Sequence, residues 1–112
     1  MHTIAFHDAV EARSWLRHNS NPSAFAANRF GNTGGALAFV ESLYRTGATE
    51  VLVDDPGVDS TGLPYADTLI VRCPEHARFD VERFCQDEGP RDVPPGDFTI
   101  RRCAEDLILW WD

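Results

Sequence analysis

Four aspartates that lie close together in the chain have the clearest capacity for chemistry. They fall in and just after the segment DDPGVDSTGLP and are Asp54, Asp55, Asp59 and Asp67. Carboxylate oxygens on a loop are the ligands that a hard cation such as Mg²⁺ or Ca²⁺ prefers. The spacing lacks the glycine and glutamate order of an EF-hand loop, and aspartates also stabilise ordinary turns. The pattern therefore makes these residues candidate cation ligands, with a solvated turn as the alternative.

Three cysteines and a nearby histidine offer softer ligands. Cys73 and His76 form one close pair, but a structural zinc site needs two such pairs. A Cys–His pair can also produce a thiolate nucleophile, yet no third residue that would orient the histidine is recognisable. Cys85 and Cys103 lie where apolar patterns predict core. We interpret all three cysteines as reduced, buried thiols, because an odd number without CxxC spacing does not form a disulfide framework.

The segment 32–35 (NTGG) begins a predicted helix, whose free backbone N–H groups could receive an anion. All ten basic residues are arginine, and there is no GxGxxG motif. The absence of lysine excludes a phosphate-loop lysine and Schiff-base chemistry. Asn32 or Thr33 is better explained as a helix cap. We therefore expect no cofactor.

The chain closes on Trp110, Trp111 and Asp112. Successive side chains of a strand point to opposite faces, so one tryptophan should be core and the other exposed. An exposed tryptophan is a candidate anchor for a protein partner, because tryptophan is enriched among binding hot spots. The alternative is that an N-terminal helix carrying Trp15 and Leu16 covers it.

The charge is strongly negative. Eighteen acidic residues against ten arginines give a formal net charge of −8. Such a surface repels phosphate backbones, which disfavours direct binding of nucleic acid. It suits a partner with a basic surface, although acidic charge also serves solubility alone.

Hydrophobic periodicity places these residues on a small set of elements. Helices are expected at 8–18, at 33–46 and from Pro74 to just before Gly89. Strands are expected at 49–54 and 65–73, joined by the long loop as an antiparallel hairpin. The tail after Gly96 alternates as a closing hairpin or as one strand after a bulge, and 24–30 is a possible strand.

The element order predicts an α+β fold. We expect one domain over 1–112, with an N-terminal helix and loop at 1–23 and an α+β core at 24–112. The core would be an antiparallel sheet of about four strands with two helices on one face. By element order this resembles the ferredoxin-like split βαβ arrangement, which hosts many unrelated functions.

One further resemblance covers about the last three quarters of the chain. It lies in Phe39-Val40, Leu43-Tyr44, Gly47-Ala48, Val51, Pro64-Tyr65-Ala66-Asp67 and Trp110-Trp111-Asp112. These phrases resemble small uncharacterised bacterial α+β proteins, and the resemblance implies no activity. No apolar run is long enough to cross a bilayer, and the N-terminus lacks the pattern of a signal peptide. We therefore expect a cytoplasmic protein without membrane contact.

The leading hypothesis is a non-enzymatic, acidic protein-binding module, of the kind found among inhibitors, immunity proteins and anti-defence proteins. Asp54, Asp55 and Asp59 would meet basic residues of the partner, and Trp110 or Trp111 would be the anchor. One alternative is a small enzyme or a metal- or ligand-binding domain that uses the Asp54–Asp67 carboxylates. Another is a structural homo-oligomer, such as a homodimer joined through strand edges or the tryptophans.

Overall fold

The computed structural model describes residues 9–25, 30, 32–88, 98–103 and 106–111. Within these ranges the chain forms an antiparallel α+β fold, as the sequence predicts. The elements in chain order are β1 (Val10–Glu11), α1 (Ala12–Arg17), α2 (Thr33–Thr46), β2 (Glu50–Val53), β3 (Gly57–Val58), β4 (Pro64–Tyr65), β5 (Thr68–Arg72), α3 (Glu75–Glu88), β6 (Phe98–Cys103) and β7 (Asp106–Trp111).

Helix α2 begins and ends where its sequence signals place it. The Asn32 side chain accepts a hydrogen bond from the Gly35 amide at 2.8 Å, which satisfies one of the free donors of the first turn. Gly47 ends the helix at a φ of +139°, and a Cβ at that position would lie 2.7 Å from the Cβ of Ala77 on α3. Glycine therefore closes α2 and lets α3 approach it. The buried stripe of α2 is Ala36, Phe39, Val40 and Leu43.

The main sheet has five strands in the order β1-β2-β5-β7-β6, and every neighbouring pair is antiparallel. The predicted count of about four is therefore too low. The extra strand is β1, in which Val10 pairs with Val53 and Glu11 with Leu52. Two residues are too few to show an alternating pattern, so only the pairing with β2 defines this strand.

The predicted hairpin of the two central strands is present, and the tail adopts one of its two predicted alternatives. β2 and β5 pair antiparallel from Glu50 opposite Arg72 to Val53 opposite Leu69, and the loop between them carries a small ribbon of β3 and β4. The tail forms the closing hairpin of β6 and β7 rather than a single bulged strand. Since β5 and β6 are both antiparallel to β7, they run parallel to each other on either side of it.

The helices cover one face of the sheet. Two rows of directly paired residues supply the sheet side of the core, and the helices supply the other side through the buried stripe of α2 and through Val81 and Cys85 of α3. Trp111 extends this core, with its ring 5.0 Å from Phe25 and 5.4 Å from Phe30 between centroids. Each such aromatic pair adds about 1 kcal/mol beyond its buried area. The two rows of paired strand residues that face the helices are Val51, Val71 and Leu107, and Val53, Leu69 and Leu109.

The N-terminal part is shorter in regular structure than predicted. Helix α1 covers Ala12–Arg17 rather than 8–18, and its cap is Glu11, whose carboxylate accepts from the amides of Arg13 and Ser14. The predicted opening residue, Asp8, lies outside the described residues. In the possible strand at 24–30, Phe25 forms a single parallel bridge to Ala66, and 26–29 lie outside the described residues.

Candidate partner-binding surface

The exposed tryptophan and the first aspartate of the loop lie in one row across the sheet. Trp110 pairs with Thr68 on one side and with Thr99 on the other. The Asp54 amide donates to the Thr68 carbonyl at 3.1 Å, one step beyond the last pair of β2 and β5. Directly paired residues share a face. We call this line of residues the Trp110 row, and the sheet face opposite the helices the outer face.

The two tryptophans have opposite environments, as strand alternation predicts. Trp111 is 1% exposed in the helix-side core, whereas Trp110 is 39% exposed on the outer face. Of the two predicted anchor positions, only Trp110 therefore has surface to offer a partner. The ring of Phe25 contacts the buried tryptophan, and Trp15 of α1 in turn stacks on Phe25.

The loop after β2 presents acidic and apolar groups together. Asp55 is exposed and has a φ of +49°, a left-handed conformation that aspartate tolerates better than most residues. Val58 on the β3–β4 ribbon is 65% exposed. The loop therefore adds an exposed carboxylate and an exposed apolar side chain beyond the end of the Trp110 row.

Asp59, the third predicted partner contact, is engaged within its own loop. One carboxylate oxygen accepts from the amide and hydroxyl of Thr61 at 2.8 and 2.6 Å and from the Leu63 amide at 3.1 Å. The other accepts from the Asn21 side chain at 3.0 Å. The Thr61 hydroxyl, followed by the other donors, lowers the pKa of Asp59. Because this carboxylate accepts hydrogen bonds from several loop donors, it orders the loop and has less capacity for bonds to a partner.

Sequence reasoning missed Asn21, which is 4% exposed and joins three parts of the chain. Its side-chain amide donates to Asp59 and to the Pro64 carbonyl at 2.9 Å, and its side-chain oxygen accepts from the Ser23 amide at 2.9 Å. Its carbonyl accepts from the hydroxyl of Thr33 at the start of α2. The NSNPS segment indicates a loop, but no local signal indicates these distant partners.

At the opposite end of the outer face, one arginine partly compensates two carboxylates. Arg72 on β5 lies between Glu50 on β2 and Asp106 on β7 and pairs with both, at 2.9 and 3.2 Å. These three residues occupy one register row. At the other end of this face, the loop after β2 carries the exposed Asp55.

The four aspartates proposed as cation ligands do not form a cluster. The Asp67 carboxylate accepts from the hydroxyl of Thr68 at 2.9 Å, and Asp59 is engaged as described above. Throughout the described ranges, no three histidine, cysteine, aspartate or glutamate side chains come close enough together to hold a metal ion.

The two thiols of the described core are buried and have raised pKa values. Cys73 and Cys85 are buried and free, as the sequence predicts. Burial, with Cys73 nearby, raises the pKa of Cys85 to about 12, and burial also raises the pKa of Cys73. A raised pKa favours the protonated thiol, which is a poor nucleophile.

Two clefts of about 300 Å³ lie elsewhere on the surface. One, beside α1, is walled by Val10, Trp15 and Pro64. The other lies between α3 and β6, beside Phe79 and Arg102. None of the four aspartates lines either cleft.

No family model, curated protein or solved structure matches this chain. No family is therefore assigned, and functional inference rests on the residues themselves. Among the described residues, no helix is both long enough and apolar enough to span a bilayer.

Proposed function

We propose that this chain is a non-enzymatic, inhibitor- or immunity-like module that binds a protein with a basic surface. The observation that carries the proposal is the Trp110 row: a 39% exposed tryptophan lies on the same face of the sheet as Asp54. A large aromatic on the same face as a carboxylate two strands away offers an apolar anchor with a charged group toward its rim, the composition common at binding hot spots.

Charge supplies the second part of the argument. The chain carries a net charge of −8, and Asp55 is exposed at the loop next to this row. Long-range attraction would speed encounter with a basic partner, and contacts to Asp54 and Asp55 would set the register. Direct nucleic-acid binding is disfavoured by the same charge.

Preorganisation of the loop strengthens the proposal. Asp59 holds the loop through donors from Thr61, Leu63 and Asn21. A loop already ordered in the free protein loses less conformational entropy on binding. Asp59 would therefore contribute by shaping the surface, while Asp54, Asp55 and Trp110 contact the partner. Val58, exposed on the same ribbon, would extend the apolar contact.

The test is affinity capture from the native host's lysate with matched variants. Trp110→Ala is compared with Phe79→Ala, which removes a 69% exposed aromatic from α3. D54N/D55N is compared with Asp80→Asn and Asp87→Asn combined, the same charge change on exposed positions of α3. We expect the wild type and both controls to capture one stoichiometric partner, with less of it recovered as salt rises. We expect W110A and D54N/D55N to lose that capture. Equal recovery with all variants would contradict the proposed surface.

Two finer inferences accompany this function. We infer a cytoplasmic location, which the reduced, buried state of Cys73 and Cys85 supports. We also infer a relation to the ferredoxin-like arrangement, supported by the split β-α-β unit of β5, α3 and β6 with β7 between the strands. In this chain α2 and β2 precede that unit, and β1 adds an edge strand.

A further inference from the structure

The two edges of the main sheet are unequal. β1, at one edge, has two residues, whereas β6, at the other, has six and is as long as any described strand. Within the described ranges β6 pairs with β7 alone. Its other side carries backbone N–H and C=O groups that are a template for another strand, and β6 contains no proline or glycine to prevent such pairing.

We propose that β6 pairs antiparallel with β6 of a second copy of this chain, giving a two-fold dimer with one continuous ten-stranded sheet. A two-fold axis perpendicular to the sheet keeps each face on the same side in both copies. Directly opposed residues of the two strands must then share a face. The two-fold axis therefore passes between one residue and the same residue of the second copy, and this condition limits the possible registers. This proposal is independent of the proposed function.

Only one of these registers suits the side chains. With the axis at Ile100, Ile100 lies opposite Ile100 of the second copy and Thr99 lies opposite its Arg101. Residues 98–102 of both strands then all pair. Ile100 already packs partly against the core, so the partner's isoleucine extends an apolar surface. Centring on Arg101 would oppose two arginines, which destabilises a cross-strand pair. Centring on Thr99 would pair only residues 98–100.

The charges of β6 fit this register. Arg102 binds Glu82 of its own chain through two nitrogens, at 2.8 and 2.6 Å, so its charge is compensated. Arg101 and Thr99 are both exposed on the outer face. Thr99 is small enough to lie beside the longer arginine. The dimer would also place two copies of the Trp110 row on one face, giving a bivalent surface.

Salt separates this dimer from the proposed partner complex. Two chains of −8 repel each other at long range, so salt should strengthen self-association by screening that repulsion. Salt should weaken an acidic module bound to a basic partner. D54N/D55N should impair the partner complex and leave the β6 pairing intact, so failure of one proposal is distinguishable from failure of the other.

The experiment is sedimentation equilibrium of the full chain over a wide range of protein concentration, at low and moderate salt. Thr99→Arg, which places an arginine opposite Arg101 twice in the dimer, should raise the dimer dissociation constant about tenfold. Thr99→Asp should lower it by a similar factor, and T99R/R101D, which exchanges the two charges of that variant's pair, should lower it likewise. Ala38→Arg, an equal charge change on an exposed position of α2, is the control.

Amide exchange supplies an independent readout. The amides of β6 on the side away from β7 should become protected as protein concentration rises. A chain that stays monomeric at every concentration and salt would overturn the proposal. A dimer insensitive to all three Thr99 variants would also overturn it, and so would β6 protection that appears only when a different protein is added.

Discussion

Replacing Asn21 by alanine tests whether one buried side chain holds the loop to the rest of the fold. The substitution removes the donors to Asp59 and to the Pro64 carbonyl and the acceptor for the Ser23 amide. Asn21 is 4% exposed, so water has limited room to replace it. The loop and the N-terminal segment would lose a shared contact, whereas the bond from the Thr33 hydroxyl at the start of α2 reaches the backbone carbonyl of residue 21 and would remain.

The expected loss follows from the three bonds. A neutral hydrogen bond contributes about 1 kcal/mol net, and one to a charged acceptor about 2 kcal/mol. The three would sum to about 4 kcal/mol. The Asp59 carboxylate can regain water, because it lies at the surface. We therefore expect Asn21→Ala to lower the free energy of unfolding by about 3 kcal/mol and the melting temperature by about 12 °C.

The assay combines urea denaturation with amide exchange. Denaturation gives the global loss, and exchange at Thr61 and Leu63, whose amides donate to Asp59, reports the loop. Asn21→Asp separates hydrogen bonding from packing, because it keeps the side-chain volume but removes both donors and places a carboxylate beside Asp59. We expect it to cost at least as much as alanine.

Two results would refute this reasoning. A loss below about 0.5 kcal/mol for Asn21→Ala would place it among ordinary surface substitutions. A stable Asn21→Asp variant would show that the two donated bonds contribute little. Unchanged exchange at Thr61 and Leu63 alongside a large global loss would assign the effect to the N-terminal segment, not the loop.

Three further predictions concern other contacts. The pKa of Asp59 is lower in the folded state than in the unfolded state. Its contribution to stability is therefore present above the unfolded pKa and lost as pH falls through the folded pKa. The free energy of unfolding should fall less steeply with decreasing pH in Asp59→Asn than in wild type. Tyr44→Phe removes a 2.6 Å bond to the Glu11 carboxylate and a bond from a β2 amide, and should cost about 1.5 kcal/mol in urea denaturation. Gly47→Ala should cost about 2 kcal/mol in thermal denaturation, because φ is +139° and the new Cβ would meet Ala77; a neutral result would mean that α2 and α3 shift apart freely.

Local patterns were sufficient for the elements whose signals lie within one short stretch. The Asn32 cap and Gly47 stop delimit α2, since both act on backbone groups a few residues away. The alternation of Leu107, Leu109 and Trp111 identified a half-buried strand and required neighbouring tryptophans to differ in exposure. Apolar runs at β2 and β5 with a turn-rich loop between them indicated a hairpin for the same reason.

The candidate surface depended on pairings that local sequence does not contain. Asp54 and Trp110 are far apart in the chain and share a row only because β5 lies between β2 and β7. Asn21 and Asp59 resemble ordinary loop residues until folding brings them together. Sequence by itself determined the α+β class, the acidic charge and the alternation of the two tryptophans. The tertiary structure decided which tryptophan has surface and that Asp59 is held by donors within its own loop and from Asn21, because burial and hydrogen-bond partners depend on contacts between distant parts of the chain.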